Sequence, residues 1–309
     1  MIIAVIFAIS STLGYGIATN LILWMLFRVM WGLAFSAMRI GTLGYALQHQ
    51  KKGIALGVSR SFQELGPMLA LFIAPVLVRH VEPREVFFIL ALCSLPALYF
   101  VLALPPAATR EIQAIKIKRF IHWPTTLNSI TFVAAILIDG IVVVVLGILF
   151  LSYRDNISAG AATALAAFYL GYRRLCLFAL SPAGGWIADK IGLNSVFNIS
   201  MILVVFGLAI ILTGWIAAGA IVVFTFYSIN AAVTPGSASS KNIHSLAAVA
   251  ENATWRDIGA AIGTVLGGLL ISSSNLHTVL MIATFALSTL LLAHIGTPRK
   301  TLKLFYLWK

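Results

Sequence analysis

The chain has 309 residues, of which 61% are hydrophobic and 10% charged, and its mean hydropathy is +1.01. A soluble domain carries roughly 25% charged residues, so this composition cannot clothe a water-facing surface. The formal net charge of +12 would suggest nucleic acid in a soluble protein. Here the basic residues gather in particular loops, and membrane topology accounts for them without a nucleic-acid partner.

Apolar stretches recur along the whole length, each near the ~20 residues that cross a bilayer core as helix. Lipid supplies no hydrogen-bond partners, so spanning segments must be helices or a closed barrel. Continuous apolar runs, not alternation with period two, decide for helices. The expected fold class is therefore all-α integral membrane, with about ten transmembrane helices. Met1 starts directly in an apolar run without a positive n-region or a small-residue cleavage site, which reads as a spanning helix and not a signal peptide.

In chain order the spans are expected at about 1–19, 21–47, 53–78 and 86–104, then about 125–152, 159–186, 193–213, 216–234, 252–272 and 277–296. The polar stretch 105–124 divides a four-helix part (1–104) from a six-helix part (125–296), and 297–309 forms a tail. With the N-terminus placed in the cytoplasm, twelve Lys and Arg residues fall in inner loops and three in outer loops. That bias follows the positive-inside rule and puts both termini in the cytoplasm, with a plasma (inner) membrane as the expected location.

The second span carries Arg28, Gly32, Phe35 and Arg39 at i, i+4, i+7 and i+11, one helical face. The two guanidiniums then lie roughly 16 Å apart along the axis. They either wall a polar path or snorkel to opposite interfaces. In the third span Glu64 follows Arg60 by one turn, which suits an i,i+4 pair. Glu64 is equally a candidate for proton uptake, since desolvation raises a carboxyl pKa.

Asp139 lies near the middle of the fifth span, and Arg173 and Arg174 near the middle of the sixth. A charge at mid-bilayer costs about 2.5–3.5 kcal/mol on insertion scales. Asp139 is the acidic partner available to one of these arginines, as a structural ion pair or as a substrate and proton site. Adjacent residues project about 100° apart, so one arginine is expected to face a central cavity while the other pairs elsewhere. Glu251, Arg256 and Asp257 are expected at the inner end of the ninth span. Within the spans, arginines outnumber carboxylates, which favours an anionic solute.

The segment Ser181-Pro-Ala-Gly-Gly-Trp-Ile-Ala-Asp-Lys-Ile-Gly192 holds Gly185, Asp189, Lys190 and Gly192 in the spacing Gly-x-x-x-Asp-(Arg/Lys)-x-Gly. It resembles the cytoplasmic loop signature of the major facilitator superfamily, found after the second helix and again after the eighth. Leu193 and Asn194 stand where the family carries further basic residues. Arg28-Val-Met-Trp-Gly32 resembles the Arg-x-x-x-Gly of the family's fourth helix, and Gly66-Pro67 the Gly-Pro of its fifth. Gly259, Gly263 and Gly267 resemble its glycine-rich eleventh helix, and their spacing of four makes a face for close helix approach.

This register implies a bundle lacking the first two family helices, so that the chain runs from the third to the twelfth. The resemblance implies a secondary transporter, a permease working by alternating access on a small solute, with proton coupling left open. Arg28, Arg39, Asp139, Arg173 and Arg174 would then be substrate-binding, and Glu64 and Asp139 proton-coupling. Gly66, Pro67, Gly185, Asp189, Lys190 and Gly192 would govern conformational change. The alternative is a non-transporting membrane remnant or interaction subunit. No metal-ligand cluster, phosphate loop or nucleophile–base set is visible, so neither an enzyme nor a cofactor is expected.

Overall fold

The computed structural model describes residues 1–104, 123–153, 157–240, 245–270 and 275–296. Most of the connecting stretch 105–124, the tail 297–309 and Asn156 of an Asn-x-Ser sequon lie outside the described residues. The described residues are helical apart from short connections. The helices are α1 (Ile2–Ile17), α2 (Leu21–Gln48), α3 (Lys52–His80), α4 (Pro83–Ser94), α5 (Pro96–Leu102), α6 (Thr126–Ala134) and α7 (Val143–Tyr153). The remainder are α8 (Ala159–Ile191), α9 (Leu193–Leu212), α10 (Ile216–Ser239), α11 (Ser245–Leu270) and α12 (Leu276–Gly296). A π-helical segment, Ala135–Val142, joins α6 to α7. Taken with their continuations, α4–α5 and α6–α7 each act as one span, giving ten helical segments. Eight of these are long and apolar enough to cross a membrane, and the protein is a multi-pass integral membrane protein.

Local chemistry sets the helix ends. Asn20 accepts a hydrogen bond from the Leu23 amide at 2.8 Å, and Ser158 accepts one from Ala161 at 3.2 Å. Both are side-chain N-caps that satisfy orphan amides. Glu82 and Glu85 close a capping box ahead of α4. Pro96 lacks an amide hydrogen and interrupts the span expected over 86–104, splitting it into α4 and α5. Gly192, at φ +96°, ends α8 and starts α9 with no intervening loop, a turn that a side chain would strain.

Three spans run five or more residues beyond their expected limits, among them α10, which was expected to stop near 234 and continues to Ser239. The helix expected to stop near 186 continues to Ile191, so Gly185, Asp189 and Lys190 stand on the last turns of α8 and not in a loop. The mostly apolar run Ser245-Leu-Ala-Ala-Val-Ala-Glu251 also joins a helix, so α11 starts at Ser245. Arg256 therefore lies eleven residues into α11, well inside the helix, and not at its inner end.

The chain forms two compact units. The first gathers Met1–Gln50 with the described residues from Leu65 to Leu104; the second gathers Lys51–Glu64 with the described residues from Trp123 onward. In the first, α1 packs on α2 and α4, and Tyr15 sits between Trp24 and Phe87 at ring distances of 5.2 and 5.3 Å. In the second, Phe197, Met201 and Leu208 of α9 meet Phe224 of α10, alongside Ile138 and Leu146, in a fully buried core. Gly259, Gly263 and Gly267 of α11 lie against Phe132, Ile136 and Val144, and a Cβ on Gly263 would overlap the Ile136 carbonyl oxygen. The close approach that the four-residue glycine spacing foretells is therefore made, with the π segment as partner.

Candidate functional site

In the second unit the first turns of α3 run along the last turns of α8, and small residues let the backbones touch. A Cβ on Gly53 or Gly185 would overlap the other residue's carbonyl oxygen, and one on Gly57 would overlap the Ser181 carbonyl. One turn further, Ser61 donates to the Phe178 carbonyl at 2.6 Å. The pattern Gly53-x-x-x-Gly57-x-x-x-Ser61 is a small-residue face of the kind that brings membrane helices together.

Charge closes both ends of this seam. At one end the Asp189 carboxylate accepts from the Gly53 amide at 2.7 Å and from the Ile54 amide at 2.9 Å. These are orphan donors of the first turn of α3, where the helix dipole also favours an anion. Lys190 turns away, its ammonium 3.5 Å above the Trp186 ring. At the other end Glu64 is almost fully buried and binds two guanidiniums, Arg60 at 2.7 Å and Arg174 at 2.6 Å. The i,i+4 pair is formed, and Arg174 joins it from α8.

Arg173, its neighbour, points elsewhere, as a 100° offset requires. It pairs with Asp139 on the π segment, whose second oxygen accepts from the Tyr227 hydroxyl of α10 at 2.7 Å. Arg173 also lies 6.0 Å from the Phe224 ring centroid. A π turn inside a helix is common at functional positions; here it carries the acidic residue and Gly140, whose Cα packs on Gly263. Arg256 of α11 bonds Asp257 at 3.3 Å. Its charge is also felt by Asp139 and Arg60.

The second unit thus groups Arg60, Arg173, Arg174 and Arg256 around Glu64, Asp139 and Asp257. Sequence reasoning found the Asp139 partnership and the Arg60–Glu64 pair. It missed Tyr227, which has no distinguishing pattern; the Arg256–Asp257 pair is formed, but α11 starts seven residues before its expected limit, so the pair stands farther from the helix end. The Gly53, Gly57, Ser61 repeat was there to be read. Gly66 and Gly32, by contrast, have no atom within 4 Å of where a Cβ would sit, so close packing does not explain either glycine.

In the first unit, Arg28 is exposed and Arg39 buried on α2. Arg28 lies 5.3 Å from the Trp31 ring centroid and Arg39 5.8 Å from that of Phe35. The shared face expected from their spacing is present.

No family model matches the sequence, and no curated relative matches it. Solved structures do. The Escherichia coli fucose:proton symporter FucP, crystallised as a point variant, superposes with a TM-score of 0.66 at 15% identity, covering 94% of this chain and 81% of that one. FucP described in an outward conformation gives 0.66 at 14% identity, covering 94% and 80%. At such low identity the likeness speaks for architecture, and that architecture is the major facilitator fold.

Proposed function

We propose that this protein is a secondary transporter that moves a small anionic solute by alternating access, with a carboxylate that exchanges protons. The observation that carries this reading is the cluster in the second unit, where four guanidiniums meet three carboxylates on a transporter fold. Guanidinium binds carboxylate or phosphate through two parallel hydrogen bonds. In the proposed cycle a solute anion competes with Asp139 for Arg173, and protonation of Asp139 releases the guanidinium to it. Tyr227 holds the ionised carboxylate when the solute is absent. Glu64 is the second proton candidate, and it governs Arg174 in the same way.

The seam between α3 and α8 is the proposed gate. Asp189 clips the start of α3 while the glycine faces touch, and the clip opens as the solute path changes side. Gly192 fixes the α8–α9 turn, Lys190 holds the helix end at the interface, and Gly66 with Pro67 lets α3 yield beyond the seam. In this register the four helical spans before residue 105 correspond to the third to sixth of the family, and the six after residue 124 to its seventh to twelfth. The bias of Lys and Arg toward the inner loops supports a cytoplasmic position for both termini.

The test is counterflow of small organic anions and inorganic phosphate into proteoliposomes, with and without a pH gradient. Accumulation that collapses in Arg173→Ala and Asp139→Asn supports the proposal. Flux that is absent for every anion, or unchanged in both variants, refutes it. One observation favours a second reading, a non-transporting membrane subunit: Asp139 and Glu64 already satisfy arginines, as purely structural ion pairs would. Under that reading, charge-free replacement of a whole pair leaves every measurable property intact.

A further inference from the structure

We infer that the face of α2 running from Trp24 to Phe35 is a subsite for a planar aromatic carboxylate. This deepens the anionic-solute reading and rests on it for the sign of the charge, but it stands on different residues. Trp31 and Phe35 stack with ring centroids 5.3 Å apart and planes inclined by only 7°. The Arg28 guanidinium lies over the Trp31 ring, and that of Arg39 lies near Phe35 at the far end. One turn before Arg28 on the same face, Trp24 meets Tyr15 of α1. Tyr15 is 9% exposed, and its hydroxyl is buried without a hydrogen-bond partner among the described residues.

Arg28 is seven residues into α2, roughly 10 Å along the axis. Among the described residues it has no carboxylate within ion-pair distance, and it is exposed. A cation at such depth faces a cavity or a partner in place of lipid. It lies beside an indole, a position that keeps one guanidinium edge available for two parallel hydrogen bonds. Phe35, 37% exposed, offers ring surface along the same face.

Each candidate chemistry can be weighed against these groups. An aliphatic acid pairs with Arg28 but leaves the aromatic faces unused. A neutral aromatic extends the stack but leaves the guanidinium without a counter-ion. A ring bearing a carboxylate does both at once. Small-molecule sites are built in this way, from apolar and aromatic walls with a few polar groups that fix orientation.

The experiment uses the full chain in lipid nanodiscs and three probes of similar size: benzoate, cyclohexanecarboxylate and benzamide. Binding is followed by tryptophan fluorescence and by displacement of radiolabelled benzoate. Stacking and ion pairing each contribute several-fold to about tenfold in affinity. Benzoate is therefore expected to bind several-fold to about tenfold tighter than either other probe. Arg28→Ala and Trp31→Ala should each weaken benzoate about tenfold, while Trp31→Phe keeps most of the affinity and removes most of the fluorescence response.

Equal affinity for benzoate and cyclohexanecarboxylate overturns the inference, as does wild-type benzoate binding in Arg28→Ala. The three-probe comparison on the unaltered chain decides the matter even where a variant fails to fold. If both carboxylates bind equally and depend on Arg173, the anionic-solute reading stands and only the aromatic subsite falls. If neither carboxylate binds, the aromatic subsite falls, and the anionic-solute reading is decided separately by counterflow of the other anions and phosphate.

Discussion

Arg173 of α8 reaches Asp139 of the π segment, and the same carboxylate takes a hydrogen bond from Tyr227, so three helical segments converge on one acid. Arg173 and Asp139 are both at least four-fifths buried. Breaking a buried pair by removing one partner costs about 3–5 kcal/mol, because the other charge is stranded. Arg173→Ala alone should therefore lower thermal stability in detergent by that order, and Arg173→Ala with Asp139→Ala should recover most of it. Transport should stay lost in the double variant. Recovery of flux together with stability would make the pair purely structural.

A second prediction contrasts two glycines. Gly185→Leu places a side chain into the Gly53 backbone, and the helices must part. Overpacking of this sort costs about 1–3 kcal/mol. Gly66→Ala meets open space, and exchanging a mid-helix glycine for alanine gains roughly 0.5–1 kcal/mol. Thermal unfolding followed by size-exclusion chromatography separates the two; equal losses would mean that the seam is not close-packed.

Asp189→Ala removes the acceptor for two amides at once. Hydrogen bonds to a charged group are worth about 1.5–3 kcal/mol each, discounted here because Asp189 is exposed. The seam should open more often, so a cysteine placed at Ser61 should react faster with a soluble maleimide in the variant than in the parent. Lys190→Ala, which leaves the carboxylate in place, should react at the parent's rate. Identical rates in all three would remove the clip.

Gly263 and Gly268 lie on the same helix with opposite surroundings. The first touches Ile136, and the second has nothing within 4 Å of a Cβ. Gly263→Val should abolish folded protein in the membrane fraction, whereas Gly268→Ala should express at the parent's level. Comparable yields would mean that α11 does not use this face.

Most of the fold could be read in the sequence, because lipid leaves a spanning chain little choice beyond long apolar helices. Asp139 and Arg173 were readable for the same reason: charges in such runs stand out, and buried charges need partners. Tyr227 was not, since a tyrosine in an apolar helix looks like packing until its hydroxyl finds a carboxylate. The expected end of α8 near 186 falls five residues short, and Gly184 and Gly185 stand inside the helix. There they serve packing, Gly184 against Ile229 and Gly185 against Gly53. The true stop is Gly192, whose positive φ no local pattern distinguishes from the other glycines. Arg256 pairs with Asp257 as such adjacent charges would, while the start of α11 at Ser245 sets the pair eleven residues into the helix, which the polar edge near 252 does not reveal.

The joint at Gly192 has a mechanical meaning. With a single residue between α8 and α9, there is no slack to absorb a pull on the end of α8. In the proposed gate, a shift of Asp189 would be carried through Gly192 alone into a helix whose side chains, Phe197 and Met201 among them, fill the heart of the second unit. Lengthening that joint by a few flexible residues would uncouple the latch from the body it reports to, leaving each intact and the conversation between them silent.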